Sequence, residues 1–335
     1  MKRLRKIIRY FINVVIVLFI TLLGFELCYR FSVIDFYASE KNGLNTSVDL
    51  KNDSIDVLVF GDSFSATAPE INYLDKIRNQ NKKRSIINLS IPGTGIKQAN
   101  TFAKKQIKKY NPKVVIYQVY VGNDLLDVNH LFDLENVSIL RNLYWELSDH
   151  FLSLSYLNHK ATVFKPRINS RAVTMPMKDF SKQFYNDKTK LLFNIDASYV
   201  EKAVSLTENF SKRYTAWVSE MEDFLNVIPE ETKVYIVWIP NCAQVNDYYL
   251  QNMETLGANF NSKESFKQEN YSFYFQATQD LSLFKNVKHL NVLPQLRMKD
   301  HIDYRTYFAN DPHINNNGNV VLSNYLLSSI PELLN

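Results

Sequence analysis

The fold is decided by a stretch in which an apolar run leads directly into a polar turn, Ile55-Asp56-Val57-Leu58-Val59-Phe60-Gly61-Asp62-Ser63-Phe64-Ser65. The run is rich in β-branched and aromatic residues and nearly continuous, which is typical of a strand covered on both faces in a parallel sheet. Runs of the same kind occur at 86–89, 114–120, 234–238 and, more weakly, 287–292. The sequence therefore predicts five parallel strands.

Helical stretches separate these strands. Amphipathic segments occur at about 73–80, 97–110, 198–227 and 318–328. This β-α-β-α order predicts an α/β domain with one doubly wound, five-stranded parallel sheet. Two further stretches, about 131–197 and 241–283, are too long to be plain connections. We expect them to form a helical cap and an insertion on the substrate side.

The N-terminus has the pattern of a membrane anchor. Five basic residues and no acidic one occur in the first nine positions, and residues 11–27 are almost purely apolar. With its flanks this run reaches the roughly 20 residues that a bilayer-spanning helix needs. Because basic residues stay in the cytoplasm, we predict a cytoplasmic tail and transmembrane helix at 1–31, a linker at 32–53 and an extracytoplasmic domain at 54–335. The chain would be a single-pass protein of the cell membrane.

Two other interpretations of the N-terminus stay open. A cleaved secretory signal has the same basic and apolar parts, but residues 24–27 offer no small-residue cleavage site. Leu27-Cys28 is a poor lipoprotein site because bulky residues stand before the cysteine. A buried helix of a soluble protein is the other alternative. The missing cleavage site favours an uncleaved anchor.

Charge and cysteine content argue against a nucleic-acid partner and against a disulfide bond. The chain of 335 residues has 39 basic and 34 acidic residues, and the five basic residues of the tail account for the whole excess of +5. We therefore expect no nucleic-acid partner. Cys28 lies at the membrane boundary and Cys242 follows a predicted strand, so we expect no disulfide between them. Cys242 is interpreted as a packed residue rather than a reactive thiol.

Three of the turns that follow predicted strands are evenly spaced. Ser63, Gly93 and Asn123 follow the first, second and third strands at intervals of 30 residues, about the length of one βαβ unit. The carboxyl ends of parallel strands meet at the same edge of a sheet, and ligands bind at that edge. The spacing therefore predicts that the three turns form one pocket.

A fourth segment supplies the residue types that ester chemistry requires. His313 follows the fifth strand and precedes the last helix, and Asp311 lies two residues before it. Acyl transfer needs a hydroxyl activated by a base, a carboxylate that orients the base, and donors around the developing oxyanion. Ser63, His313 and Asp311 would fill the first three roles. The N–H groups of Ser63 and Gly93 and the side-chain amide of Asn123 would form the oxyanion hole.

These four blocks resemble those of the SGNH or GDSL hydrolase superfamily. The likeness rests on Gly61-Asp62-Ser63, Gly93, Gly122-Asn123-Asp124 and 311–313, in this order, and covers about 55–328. The resemblance implies a flavodoxin-like hydrolase fold, a Ser-His-Asp triad and an oxyanion hole built as described above. No cofactor or metal ion is expected.

The last block departs from the commonest form of the family pattern. The aspartate usually stands three positions before the histidine, where this chain has Asn310. The Asp-x-His spacing found here resembles proteins of the alginate-acetylation branch, so the triad interpretation stands. We expect Asp311 to contribute less to catalysis than His313. In Asp311→Ala we expect Asn310 or a backbone carbonyl of the same loop to hold the imidazole in part.

Other candidate sites are less specific. His301 and Asp303 lie near the last block, but no third spaced pair supports a metal site. The second insertion is rich in aromatic residues that could stack on sugar rings, although core packing is favoured. These residues are Tyr248, Tyr249, Phe260, Tyr271, Phe273, Tyr274 and Phe275.

Together the patterns predict a serine-dependent acyl-ester hydrolase that acts outside the cytoplasm, de-O-acetylating a surface carbohydrate through an acyl-enzyme at Ser63. The acetyl group and the carbohydrate follow from the resemblance and the location. One alternative is an O-acetyltransferase of a surface polysaccharide, which would need a multi-spanning partner to supply the acyl donor. Another is a non-catalytic component of a polysaccharide assembly complex. The expected partners are an acylated carbohydrate or other ester and the lipid bilayer.

The orientation of the anchor can be tested directly. Protease added to intact protoplasts or spheroplasts should release the domain, because the basic tail keeps the N-terminus inside. Immunoblotting of the released fragment provides the measurement. Protection of the domain, or a mature N-terminus near Tyr29, would contradict the prediction.

Overall fold

The computed structural model describes residues 2–48, 55–66, 72–128, 137–161 and 177–334. Its centre is a five-stranded sheet of order β2-β1-β3-β4-β5, in which every neighbouring pair is parallel. The strands are β1 Val57–Phe60, β2 Ile86–Asn88, β3 Val114–Tyr120, β4 Lys233–Ile239 and β5 Val287–Asn291. The predicted α/β fold with five parallel strands is confirmed.

Helices cover the sheet. Every residue of β1 and β3 is buried, so both faces of these central strands are covered. The helices run Ala38–Leu44, Ser63–Ala66, Tyr73–Gln80, Ile96–Tyr110, Asp124–Val128, Ile139–His150, Leu152–Ala161, Asp187–Ile195, Tyr199–Ser205, Asn209–Asn226, Cys242–Val245, Asp247–Leu256, Lys263–Phe266, Ser272–Asp280, Leu293–Lys299 and Asn316–Ser329, with 3₁₀ turns at Leu281–Leu283 and Pro331–Leu333.

Aromatic packing joins β1 to two of these helices. The Phe60 ring stacks on Phe102 at 5.9 Å between centroids and meets the edge of Phe224 at 5.1 Å. Phe102 belongs to helix Ile96–Tyr110 and Phe224 to helix Asn209–Asn226, and these two helices contact each other. This packing fixes the last residue of β1, directly before the serine turn.

The single helix predicted at 198–227 is wrong, because the chain forms two helices there. Helix Tyr199–Ser205 ends at Leu206, which has a φ of +54°, and Glu208 has a φ of +53°. Left-handed residues interrupt the hydrogen-bond ladder of a right-handed helix. Helix Asn209–Asn226 then begins after Glu208.

Both predicted insertions contain helices. The described part of 131–197 holds helices Ile139–His150, Leu152–Ala161 and Asp187–Ile195, and 241–283 holds four helices and a 3₁₀ turn. Most aromatic residues of the second insertion pack in the core, and Phe275 is exposed.

One N-terminal helix, Lys2–Arg30, is long and apolar enough to cross a membrane. Most of its apolar side chains are exposed, but Glu26 and Tyr29 near its end are buried against the domain. The helix ends with Ser32 in the left-handed region, where the Val33 N–H donates to the Cys28 carbonyl at 3.0 Å. The assignment of 1–31 as an anchor remains a prediction.

The segment predicted as a linker, 32–53, is described up to residue 48. Helix Ala38–Leu44 lies within it, and Tyr37, Lys41 and Asn45 are buried. The Asn45 amide donates to the carbonyls of Lys41 and Asn88, each at 2.7 Å. Its oxygen accepts from the Asn88 N–H at 2.8 Å and from the Arg78 guanidinium at 2.6 Å. These bonds join the segment to the C-terminal end of β2.

Asn45→Ala should destabilise the protein, because it leaves the buried donors of Asn88 and Arg78 without their acceptor. Each buried unsatisfied group costs about 1–3 kcal/mol, so we expect a Tm lowered by roughly 5 °C or more. Thermal unfolding of the detergent-solubilised chain followed by near-UV circular dichroism gives the measurement. Asn42→Ala, at an exposed position of the same segment, is the control. Equal Tm values for the two variants would show that the segment is not part of the folded unit.

Candidate active site

Three chain segments meet at the carboxyl edge of the sheet. The Leu89 and Ile91 N–H groups after β2 donate to the carbonyls of Val59 and Gly61, at 2.7 and 3.1 Å. The Asp62 N–H donates to the side-chain oxygen of Gln118 in β3 at 3.2 Å. The serine turn and the end of β1 are therefore hydrogen-bonded to the segment after β2 on one side and to β3 on the other.

The turn before Ser63 has no space for a side chain at residue 61. A Cβ on Gly61 would lie 2.6 Å from the Gln118 oxygen. The Asp62 carboxylate accepts from the Phe64 N–H at 2.9 Å, which closes the turn. Ser63 is then the first residue of the short helix Ser63–Ala66.

Ser63, His313 and Asp311 form a continuous chain of hydrogen bonds. The Ser63 Oγ lies 2.7 Å from the His313 Nε2, and the His313 Nδ1 is bonded to the Asp311 Oδ1. The same Oδ1 accepts from the backbone N–H of His313 at 3.0 Å. All three residues are buried. A proton on Nδ1 shared with Asp311 leaves Nε2 as the acceptor for the serine proton, which is the arrangement that nucleophilic catalysis requires.

The first insertion supports Asp311, which the sequence pattern did not indicate. The Asn186 amide donates to the Asp311 Oδ2 at 3.0 Å, and its own oxygen accepts from the Thr189 N–H at the start of helix Asp187–Ile195. Both carboxylate oxygens of Asp311 therefore have partners. A helix cap is a common use of asparagine, so no motif singled out Asn186.

The Asn310 side chain, expected to hold the imidazole in part when Asp311 is replaced, is bonded to the first insertion in the wild-type structure. Its amide donates to the Asp179 carbonyl at 2.8 Å, and its oxygen accepts from the Ser181 N–H at 2.6 Å. Its carbonyl accepts from the Asn186 N–H at 3.0 Å. Asn310 thus holds the insertion next to the triad.

An aromatic stack fixes the plane of the imidazole. The Phe64 ring lies between His313, at 4.5 Å between centroids, and Tyr120, at 3.9 Å, and both pairs are inclined by 27°. The Tyr120 hydroxyl accepts from the Asn241 amide at 3.1 Å. Rotation of the imidazole away from Ser63 would require this stack to separate.

Ser65, the other serine of the turn, has a different environment. Its hydroxyl lies 2.7 Å from the Tyr73 hydroxyl and donates to the Gln118 oxygen at 3.0 Å. It is fully buried. These contacts direct it into the core and not toward His313.

The two other oxyanion residues predicted from the sequence lie after β2 and β3. Gly93 is exposed and has a φ of +73°, which glycine adopts readily. The Asn123 amide donates to the Asp127 Oδ2 at 2.7 Å, and Asn123 Oδ1 has no partner among the described residues. An amide has two N–H groups, and Asp127 accepts from one of those of Asn123. The motif alone did not reveal this contact of Asp127.

Buried carboxyl groups lie beneath the turns. Burial raises the pKa of Asp62 and Asp124, and the negative charges of Asp62 and Asp127 raise the pKa of Asp124 further. Like charges in a low-dielectric environment favour the neutral form of one partner. Asp124 therefore takes up a proton more readily than an ordinary aspartate.

The candidate metal pair gains no support from a third ligand. No group of three or more histidine, cysteine, aspartate or glutamate residues that could hold a metal ion occurs in the described ranges. His301 is exposed and its backbone pairs with that of Tyr304. Cys242 is buried, and burial raises the pKa of its thiol.

A scan of protein-family models and a search of curated proteins gave no match. Among solved structures, a lipase/acylhydrolase from Enterococcus faecalis is similar over 82% of this chain and 95% of its own, with 10% identity and a TM-score of 0.40. A catalytic mutant of an acetylxylan esterase from Geobacillus stearothermophilus is similar over 85% and 97%, with 10% identity and a TM-score of 0.40. The periplasmic domain of a Salmonella ser. Paratyphi A lipopolysaccharide acetyltransferase is similar over 90% and 99%, with 11% identity and a TM-score of 0.39.

Covalent labelling distinguishes the two serines of the turn. A serine-directed fluorophosphonate should label the wild-type chain and Ser65→Ala but not Ser63→Ala, because only the Ser63 hydroxyl is bonded to a base. In-gel fluorescence and mass spectrometry of the labelled peptide provide the measurement. Circular dichroism must show that both variants are folded, since Ser65→Ala removes a buried hydroxyl at a cost of about 1–3 kcal/mol. Full labelling of Ser63→Ala would refute the assignment.

Proposed function

We propose that the protein is a serine-dependent acyl-ester hydrolase of the SGNH type, and that Ser63 forms an acyl-enzyme. The observation that carries the proposal is the hydrogen-bonded chain Ser63–His313–Asp311, with a Ser63 Oγ to His313 Nε2 distance of 2.7 Å. Its place at the carboxyl edge of a parallel sheet supports the proposal, because ligands bind at that edge.

Acylation follows from this geometry. The Ser63 oxygen attacks the ester carbonyl while its proton moves to the His313 Nε2. Asp311 stabilises the imidazolium that forms, as a buried carboxylate does in other serine hydrolases. The oxyanion is stabilised by the Ser63 and Gly93 N–H groups and the second N–H of Asn123. His313 then returns the proton to the departing alcohol, and the acyl group remains on Ser63.

Deacylation uses the same residues in the reverse order. Water loses a proton to His313 and attacks the acyl-enzyme, and the products are a carboxylic acid and free Ser63. An O-acetyltransferase would differ only in using a sugar hydroxyl in place of water. We propose hydrolysis rather than transfer, because hydrolysis needs no donor protein in addition to the ester itself.

We propose acetylated surface carbohydrate as the substrate. This part rests on the SGNH resemblance and on the proposed location: helix Lys2–Arg30 spans the membrane with its basic end in the cytoplasm, and the domain lies outside. A domain at this position meets envelope polysaccharides and lipid-linked sugars first.

Turnover of acyl esters tests the catalytic roles. His313→Ala should lower kcat on 4-nitrophenyl acetate by about 10⁴-fold or more, and Asp311→Ala should lower it by less, because the base transfers the proton and the acid orients the base. His301→Ala, at an exposed histidine outside the triad, serves as the control and should retain wild-type kcat. Stopped assays with acetylated xylan and other acetylated glycans, scored by acetate release, then rank substrates.

Three outcomes would contradict the proposal. Wild-type turnover by His313→Ala would remove the catalytic interpretation. Equal losses for folded His313→Ala and Asp311→Ala would contradict the unequal roles assigned to the base and the acid. Transfer of the acetyl group to an added sugar acceptor, without release of acetate, would identify a transferase.

A further inference from the structure

A second apolar surface lies beside the end of the N-terminal helix. Helix Ile139–His150 exposes Ile139, Leu140, Leu143 and Leu147. At positions i, i+1, i+4 and i+8 these side chains form one stripe of about 100° on the helix. The exposed fractions of Ile139 and Leu140 are 86% and 72%. We call this stripe, together with exposed Phe31, Val33 and Ile34, the apolar platform.

Helix Ile139–His150 leaves its aliphatic side chains exposed. Ser148, about 130° around the helix from the middle of the stripe at 100° per residue, is buried, and the aromatic Tyr144 and Trp145 are half-buried. A helix at the surface of a soluble domain turns its apolar face inward. Exposed contiguous apolar surface marks an interaction with a partner or a membrane.

The end of the N-terminal helix is joined directly to this region. Glu26 is buried, and its two carboxylate oxygens accept from the N–H groups of Leu152 and Ser153 at 3.0 and 2.9 Å. The Arg30 guanidinium donates to the His150 carbonyl at 2.5 Å and to Glu26. The N-terminal helix thus caps helix Leu152–Ala161 through Glu26, and it binds the carbonyl of His150, the last residue of helix Ile139–His150, through Arg30.

Aromatic packing makes this junction rigid. The Tyr156 ring lies 6.4 Å from Tyr29, 5.1 Å from Phe36 and 5.3 Å from Tyr37 between centroids. Lys105 donates to the Ser32 carbonyl at 2.9 Å, which fixes the turn that leaves the helix. The platform therefore has a fixed position relative to the anchor.

The length of the anchor sets the height of the platform. Arg9 and Arg30 are about 31 Å apart along a helix that rises 1.5 Å per residue, which matches the hydrocarbon thickness of about 30 Å. With Arg9 at one headgroup layer, Arg30 lies at the other. Glu26 is one turn nearer the bilayer centre, so the backbone of Leu152 and Ser153 that it binds lies at or below the headgroups.

From this geometry we propose that the apolar platform is seated in the outer leaflet of the lipid bilayer. The bilayer is the occupant because the platform is joined through the Arg30–His150 hydrogen bond to a helix of the same apolar character, near the level where that helix leaves the membrane. Amphipathic helices insert an apolar face at the boundary between headgroups and acyl chains. The inference rests on the proposed membrane span. Contact of the platform with lipid would hold the domain against the membrane at a fixed orientation.

Lipid-borne quenchers test this contact in the full-length chain. Cysteine is introduced by Leu143→Cys in a Cys28→Ser background, while buried Cys242 stays in place, and it is labelled with a nitrobenzoxadiazole dye. The fluorescence of the dye should be at least about twofold lower in phosphatidylcholine vesicles that contain 5-doxyl phosphatidylcholine than in vesicles without doxyl lipid. Its emission should also be blue-shifted.

The matched control is the same substitution at a distant exposed leucine. Leu283 is 82% exposed and precedes β5, at the edge of the sheet opposite β2, to which the anchor segment is bonded through Asn45. Leu283→Cys carrying the dye should show neither the quenching nor the blue shift. A second platform variant, Leu147→Cys, should behave as Leu143→Cys does.

Several results would overturn the inference, and each is distinguishable from failure of the span. If the chain floats with the vesicles but the dyes at 143 and 283 are equally unquenched, the platform does not contact lipid. If unlabelled Leu143→Cys instead forms a disulfide-linked dimer under mild oxidation and its dye stays unquenched, the platform is an interface between copies. Loss of the chain from floated vesicles would refute the membrane span itself, whereas esterase activity reports separately on the proposed chemistry.

Discussion

The parallel pairing of β1 with β2 on one side and β3 on the other is the constraint on which the site depends. Leu58 is paired with Ile87 and Val115, so all three strands end at the same edge. The hydrogen bonds from Ile91 to Gly61 and from Asp62 to Gln118 extend this pairing past the strand ends. A shift of β1 by one residue would turn its side chains to the opposite faces and would move Ser63 away from His313.

The sequence predicted the strands well, because buried parallel strands have a composition that few other elements share. The equal spacing of 30 residues concerned only Ser63, Gly93 and Asn123. His313 was expected at the same edge because it follows the fifth strand, and in the structure its Nε2 lies 2.7 Å from the Ser63 Oγ. Asn186 was missed because its contact with Asp311 joins residues 125 positions apart and its local pattern is that of an ordinary helix cap. The break at Leu206 was missed because a leucine with positive φ has no signature in the sequence.

The two buried aspartates Asp311 and Asp124 have different surroundings. Asp311 has hydrogen bonds to both oxygens, two from His313 and one from Asn186, and such bonds stabilise a carboxylate. Asp124 lies among other carboxyl groups, and burial with their negative charge raises its pKa. Burial and neighbouring negative charge therefore favour the neutral form of Asp124, whereas the hydrogen bonds of Asp311 favour its charged form.

The first insertion contacts both the end of the N-terminal helix and Asp311. The Leu152 and Ser153 N–H groups in its N-terminal part donate to the Glu26 carboxylate. Tyr156 of the same part packs against Tyr29 at the end of the N-terminal helix. The C-terminal part of the insertion places Asn186 on Asp311 and is held there by Asn310. Hydrogen bonds fix the orientation of a carboxylate, so the first insertion supplies part of the orientation of Asp311 through Asn186. The same insertion also binds the end of the N-terminal helix through the Glu26 carboxylate, so one segment of the chain positions both.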